Sequence, residues 1–343
     1  KSGSRSSTNR VSSRSDLDGL VCVVAGGGNG LGRAAASELA NHGASVVVND
    51  LGCEVDGTGS DPSVAESVAE AIRDSGGTAT AHHGDVSDFE YAERLIDDAV
   101  DRYGRLDFVC NFAGILRDGI SYNLSEDDWR SVVETNLTGQ FAPLRAAASH
   151  WREASEAAAD GDGDDGEGGG DGNDGGGGSD DADDSDGGGG GFDRQRSYLA
   201  VSAGAARGSL GQANYAAAKA GVLGMVRSVS TELVRSNVRV NALVPNGYTR
   251  MTETVPEQHR PYTEAEMPAE KVAPLVAFLA SDAAADIASC TLSAGGDRVG
   301  VYADPAVEAV GVEPDGWSLA SLREHFRDDV AADVSLSRTE SHL

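Results

Sequence analysis

From Leu20 onward the chain alternates apolar runs of strand length with amphipathic runs of helix length, and this alternation restricts its possible folds more than any other feature. VCVVAG is followed by GRAAASELANHG, then by ASVVVND and a helix from Val64 to Ser75. Next come a strand at Thr78–His82, a helix at Tyr91–Tyr103, the strand LDFVCNFAG and a long helix from about Glu126 through Trp151. After a break, SYLAVSAG, a helix from Asn214 to Arg235 and the strand VRVNALVP continue the series. Strand, helix, parallel strand is the repeating unit of a doubly wound sheet, whose strands are apolar throughout because helices cover both faces. The expected fold class is α/β: a Rossmann-type, doubly wound parallel sheet forming one domain over residues 17–343.

The break is a run of Gly, Asp, Ala and Ser over about residues 154–193, with thirteen carboxylates and no cation between Asp160 and Asp193. Such a segment buries too little apolar surface to offset its ordering entropy. The sheet pattern resumes directly after it, so it reads as a disordered acidic insertion within one domain. The Ser- and Arg-rich residues 1–16 read as a disordered tail, and a C-terminal extension begins at about residue 297. Taking the thirteen charges from the formal −29 of the chain leaves −16, so the folded part is acidic too. That charge disfavours nucleic acid and anionic membranes as partners. Only three lysines occur, Lys1, Lys219 and Lys271, against abundant Asp, a pattern similar to that of proteins from salt-loving organisms.

No apolar run approaches the roughly 18 residues of a membrane span, and the expectation is a soluble, cytoplasmic protein. Cys22, Cys53, Cys110 and Cys290 lack metal-binding spacing and are expected as free thiols. No metal site is expected: His82 and His83 have no further ligands, and the insertion lacks the spacing of a calcium loop.

The first strand runs into Gly26, Gly27, Gly28, Asn29, Gly30, Leu31 and Gly32, and a helix follows. Glycines spaced as Gly26, Gly30 and Gly32 let the backbone turn tightly against a diphosphate, which then sits at the positive helix N-terminus. Asn29 and Leu31 belong to the same turn. About twenty residues beyond Gly30, Asp50 ends the second strand, where a carboxylate accepts from the adenosine ribose hydroxyls. An Asp there repels the phosphate of NADP, and no Arg or Lys occupies the glycine turn, so NAD is the expected cofactor. Asp85 and Val86 are placed either at the adenine edge or, for Asp85, as a plain helix cap.

Tyr215 and Lys219 are four apart on a helix and share a face, so an ammonium there is expected to favour the ionised phenol. A free phenol titrates near 10, too high for a base at neutral pH. Ser202 lies thirteen residues earlier at a strand end, and Asn136 lies upstream in TNLTG.

Together these motifs resemble the short-chain dehydrogenase/reductase family over about Leu20 to Gly296, interrupted by the insertion. The resemblance implies Tyr215 as general acid/base, Lys219 as holder of the nicotinamide ribose, Ser202 as the residue orienting the substrate oxygen, and Asn136 as support for a proton relay through water. It adds Asn111, Ala113, Gly114 and Pro245 to the cofactor contacts. VVVNDLG, NFAGILRD, GQANYAAAKAG and VPNGYTRMTETV more narrowly resemble the (3R)-hydroxyacyl-CoA dehydrogenase domain of peroxisomal multifunctional enzyme type 2. That implies an acyl-CoA partner, a 3-hydroxyacyl thioester oxidised to the 3-ketoacyl thioester. Two departures stand out: Phe112 replaces an Asn that steadies the sheet in the family's NNAG, and Pro245-Asn246 replaces Pro-Gly, as it does in that subgroup.

The same site would serve a 3-oxoacyl carrier-protein reductase or a sugar or steroid alcohol dehydrogenase, and an NAD-sensing regulator is the non-enzyme alternative. The family habit of pairing through the long helix and the Tyr-bearing helix implies a homodimer or homotetramer. Trp317, Leu319, Leu322 and Phe326, at helical spacing, suit a surface or core helix, or a cover over the substrate mouth or a partner. The terminal Ser-His-Leu has the form of a peroxisomal address, which the salt-adapted composition makes a coincidence.

Overall fold

In the computed structural model the residues described are 16–161, 195–314, 316–332 and 334. The expected tail and insertion lie outside them, apart from residue 16 and residues 154–161. Elements follow the expected alternation: β1 (Val21–Ala25), α1 (Gly30–Asn41), β2 (Ser45–Asp50), α2 (Ser63–Asp74), β3 (Thr78–His83), α3 (Phe89–Tyr103) and β4 (Phe108–Asn111). Then come α4 (Glu126–Val133), α5 (Gly139–Gly161), β5 (Arg196–Val201), α6 (Ala213–Leu233), β6 (Val238–Pro245), α7 (Arg250–Glu253), α8 (Ala273–Ala280), β7 (Thr291–Gly295), β8 (Arg298–Val301) and α9 (Leu319–His325). The sheet order is β3-β2-β1-β4-β5-β6-β7-β8, with every pair parallel except β7–β8. The order reverses between β1 and β4, and at this switch point a crevice opens beyond the carboxyl ends of the strands.

Val21–Ala25 are buried along the whole of β1 because apolar layers lie on both faces. One layer joins Leu39 of α1, Val68 and Ile72 of α2, and Val276 and Leu279 of α8 to Val24, Val48 and Leu243. The other joins Leu95 and Ile96 of α3, Leu144 and Trp151 of α5, and Val222 and Val226 of α6 to Val23, Val109 and Val240. Trp151 is fully buried and donates its indole N–H to the Leu106 carbonyl at 2.8 Å. Beside it, the buried Asp107 carboxylate accepts from the Val21 amide at 2.8 Å and grips Arg105.

Three elements differ from the sequence reading. The helix expected from Glu126 to Trp151 is two helices separated by a π turn, Glu134–Thr138, which carries Asn136. α5 runs on to Gly161, so the acidic break begins later than residue 154; the Ala- and Glu-rich start of that stretch is good helix-forming sequence. β8 adds an antiparallel edge strand through a two-residue turn, Gly296-Asp297, with Gly296 at φ +55° as such hairpins require.

The C-terminal apolar residues do not enter the core: Leu319, Leu322 and Phe326 on and after α9 stay exposed. Among the described residues no helix is long and apolar enough to cross a membrane.

Trp151→Ala should cost about 3–5 kcal/mol of stability, because it empties a closed layer and strands the Leu106 carbonyl. A lower urea midpoint checks it, and an unchanged midpoint would mean that α5 is not anchored there.

Candidate active site

β1 ends at Ala25, and the glycine turn folds over onto α1 with Gly26 at φ +65°. A side chain at Gly26 would run into the Ala113 backbone, and one at Gly32 into the Gly26 carbonyl. The turn is therefore packed against the strand end, with its backbone bared toward the crevice. Asp50, at the end of β2, accepts from the Gly28 amide at 2.8 Å through one carboxylate oxygen and from the Gly52 amide at 2.7 Å through the other. Its carboxylate is thereby fixed beside the turn. Asp85 is not the cap of α3; it accepts from the Ser87 amide and hydroxyl at 2.9 and 2.8 Å, while Asp88 caps the helix.

A cavity of about 590 Å³ runs along this end of the sheet. Gly26, Asn29, Gly30, Leu31, Gly32, Asp50, Asp85, Val86, Ala113, Gly114, Ser202, Tyr215, Lys219 and Pro245 all line it. One wall thus belongs to the glycine turn and β2, the opposite one to the end of β5 and to α6. Asn111 and Asn136 are fully buried and stand behind its surface.

Asn111 acts as a tie between sheet and helix. Pro143 of α5 has no amide to offer the Gly139 carbonyl four residues back. Asn111 Nδ2 donates to that carbonyl at 2.6 Å, and its Oδ1 accepts from the Ala113 amide at 3.0 Å. Gln140 completes the seam: Nε2 donates to the Asn111 carbonyl at 2.9 Å, Oε1 accepts from the Val201 amide at 3.0 Å, and its backbone carbonyl accepts from the Tyr198 hydroxyl at 2.9 Å. Phe112, where the family has Asn, lines the cavity and packs on the α1/α2/α8 layer, so Asn111 and Gln140 do the holding here.

The π turn presents Asn136 inward. Its Nδ2 donates to the Ile115 and Val132 carbonyls at 2.9 and 3.0 Å, while its Oδ1 is buried without a partner among the described residues. A methyl placed on Gly114 would lie 2.6 Å from that Oδ1 and 3.8 Å from Lys219 Nζ, so the two groups converge on one point of backbone.

Lys219 is 3% exposed, and its Nζ donates to the Val201 carbonyl at 2.9 Å and lies 5.6 Å from the centre of the Tyr215 ring. Ser202 Oγ donates to the Lys219 carbonyl at 2.7 Å, which spends its only proton and turns its lone pairs elsewhere. The loop after β4 is sewn to the start of α6: Gln212 donates to Asp118 at 2.9 Å and Asn214 to the Arg117 carbonyl at 2.9 Å. This fixes the helix turn that carries Tyr215.

Protonation departs from the sequence expectation. Burial pushes the Tyr215 phenol well up, and the Asp118 carboxylate adds to the rise. Burial also pulls Lys219 down to about 7. Burial therefore works against the charged form of both groups, and among the described residues no carboxylate forms an ion pair with Lys219.

Several residues at the site were not singled out from sequence. Gln140 gives no local signal. Asn49 could have been noticed as an amide directly after the valine run of β2; it bonds the His82 and Gly84 carbonyls and the Tyr91 hydroxyl, fixing the far wall. Thr249 and Arg250 come from the loop after β6 and line the cavity. His82 bonds Tyr91 and Asp98. Among the described residues no group of three or more His, Cys, Asp or Glu is placed to hold a metal.

Comparison with known proteins agrees with this geometry. Residues 20–159 match the short chain dehydrogenase family, and residues 193–296 match the family described as enoyl-(acyl carrier protein) reductase. Hydroxyacyl-CoA dehydrogenase ChsB1 of Mycobacterium tuberculosis is 35% identical, covering 92% of this chain and 92% of that one. Peroxisomal multifunctional enzyme type 2 of Mus musculus is 37% identical over 77% of this chain, which spans only 30% of that longer protein. The crystal structure of a short chain dehydrogenase from Mycobacterium avium superposes with a TM-score of 0.72 at 32% identity, covering 92% of this chain and 95% of that one.

Lys219 sets a pH slope. Between about 7 and its ordinary 10.5 the unfolded chain holds a proton on this residue that the folded chain does not. Stability contributed there is present above 10.5 and lost as pH falls toward 7. Urea titrations from pH 8.5 to 7 should show wild type losing ground to Lys219→Met by up to about 1.4 kcal/mol per pH unit. Parallel curves would show that the amine is not desolvated.

Proposed function

This chain belongs to the short-chain dehydrogenase family, and from that premise we propose that it oxidises a (3R)-3-hydroxyacyl-CoA to the 3-ketoacyl-CoA with NAD. The observation that carries the reading is the shared cavity: Tyr215, Ser202 and Lys219 stand at one end of the space that the glycine turn and Asp50 line at the other. A dinucleotide held along the turn would lie in the same cavity as the phenol. The residues fit a dinucleotide, since the turn has no room for side chains at Gly26 or Gly32. The buried Asn136 Oδ1 also awaits a donor.

When bound, the cofactor supplies the hydride acceptor, and its oxidised ring brings a positive charge that offsets the cost of ionising a buried phenol. Tyr215, as the phenolate, would accept the substrate hydroxyl proton, becoming the neutral phenol as the carbon-bound hydrogen departs as hydride. Lys219 stands close enough to the ring for its charge, when it holds a proton, to favour the phenolate. Ser202 presents lone pairs able to accept the same hydroxyl and orient it; to donate to a developing oxyanion it must first let go of the Lys219 carbonyl.

NAD is favoured over NADP because Asp50 is held by two amides and has no freedom to swing away from a 2′-phosphate. Support for the acyl-CoA comes from the names of the two relatives described above, one a hydroxyacyl-CoA dehydrogenase, together with the NFAGILRD and GQANYAAAKAG stretches.

Turnover of (3R)-hydroxybutyryl-CoA with NAD, absent for the (3S) isomer and reduced at least about a hundredfold by Tyr215→Phe, is the expected result. Turnover of neither isomer would return the substrate to the wider set of alcohols and ketones. For the cofactor, Asp50→Ala should narrow the preference for NADH over NADPH at least about tenfold in equilibrium binding. An unchanged ratio would remove Asp50 from cofactor choice.

A further inference from the structure

The cavity is poor in usable positive charge. Asp50, Glu54, Asp85 and Glu134 line it, against Arg117, Lys219 and Arg250. Arg117 is already committed, its guanidinium lying 2.7 Å from Asp127 and 3.8 Å from Asp128. Lys219 is buried at the phenol end. Arg250 differs from both: it is exposed, and among the described residues no carboxylate pairs with it. Its one described bond is long, from Nη1 to the Cys53 carbonyl at 3.3 Å.

That bond joins two distant parts of the chain. Arg250 opens α7, in the loop after β6, and Cys53 lies three residues past Asp50, in the loop after β2. Its neighbour Thr249 lies against the glycine turn, with Thr249 Cγ2 3.1 Å from where a side chain at Gly30 would begin. Arg250 therefore lines the cavity beside a residue packed on the glycine turn, with its guanidinium reaching to the loop after β2. A diphosphate seated on the amides of that turn would meet four carboxylates along the walls and one uncommitted cation.

We propose that Arg250 is a clasp for the cofactor: it binds the diphosphate of the nicotinamide dinucleotide and thereby holds the loop after β6 against the loop after β2. The proposal rests on the dinucleotide reading given above. Arginine suits this task because its planar fork donates two parallel bonds to phosphate oxygens, and exchanging a 3.3 Å bond to a neutral carbonyl for charge-assisted bonds is favourable. Coenzyme A also carries a diphosphate, so the ligands tested must separate the two.

Equilibrium binding to the full chain, followed by fluorescence, is the test, with wild type, Arg250→Ala and Arg250→Lys each titrated with NADH, adenosine and coenzyme A. Arg250→Ala should raise the NADH dissociation constant about tenfold, leave adenosine unchanged, and lose most of its deficit at high salt, where the charge is screened. Arg250→Lys should recover part of the affinity but not all. An unchanged NADH constant in Arg250→Ala overturns the clasp, as does an equal loss for adenosine, which would mean a disturbed loop rather than a lost phosphate contact. A loss confined to coenzyme A assigns the arginine to the substrate and also overturns it. Wild type that binds no NADH would remove the dinucleotide reading itself, an outcome distinct from failure of the clasp alone.

Discussion

Two amide side chains, Asn111 and Gln140, fix the offset between the central sheet and the helix that crosses it, and the chemical end of the site depends on that offset. Pro143 breaks the regular bonding of α5 near its start, and the freed Gly139 carbonyl is taken by Asn111 at the tip of β4. Gln140 then reaches both β4 and β5 from the same turn of helix. A buried polar group without a partner costs one to a few kcal/mol, so this seam tolerates little sliding. With it set, the π turn just before α5 has one place to put Asn136. Gly114, Asn136 and Lys219 are then brought together by three separate elements. The backbone carbonyls of Val201 and Lys219 complete the arrangement, one receiving Lys219 Nζ and the other Ser202 Oγ.

Much of this was legible in the sequence because it obeys local rules. Strand β1 is apolar throughout, and β2 and β6 are valine-rich runs of strand length bounded by glycine, proline or a polar pair, so they show despite Asn49, Arg239 and Asn241. The glycine turn is legible because only glycine fits against Ala113 and the Gly26 carbonyl. Tyr215 and Lys219 are legible as a four-residue spacing. What was not legible depends on contacts far along the chain. Nothing near Glu134 announces that the helix changes its hydrogen bonding there, nor that the Gly139 carbonyl is taken by a strand tip 28 residues away. The resemblance implies Asn111 as a cofactor contact, and nothing local shows that its side chain also bonds the Gly139 carbonyl and the Ala113 amide. The burial that raises Tyr215 and lowers Lys219 was not legible for the same reason: spacing shows that two groups share a face but not how far that face is desolvated.

The acidity of the chain and the chemistry of its site pull in opposite directions. A surface dense with carboxylates repels anions over roughly a Debye length, while the nicotinamide dinucleotide used by this family is a polyanion. The site meets this with backbone rather than side-chain charge at the turn: amides of the glycine turn and the start of α1 present partial positive charge that needs no lysine. Asp50 shares that economy, since one amide of the turn, Gly28, and one of the loop after β2, Gly52, hold its carboxylate in place.

The length of α5 has a different consequence. At 1.5 Å per residue its 23 residues span about 35 Å. Its first turn sits under the chemical end of the cavity, and its last residue, Gly161, lies at the opposite pole of the sheet, where β5 takes up the chain again at Arg196. Sequence added between those two points joins the described domain at the end of the sheet opposite the cavity. An engineer wanting to graft a tag or a second module onto this scaffold would start from that junction.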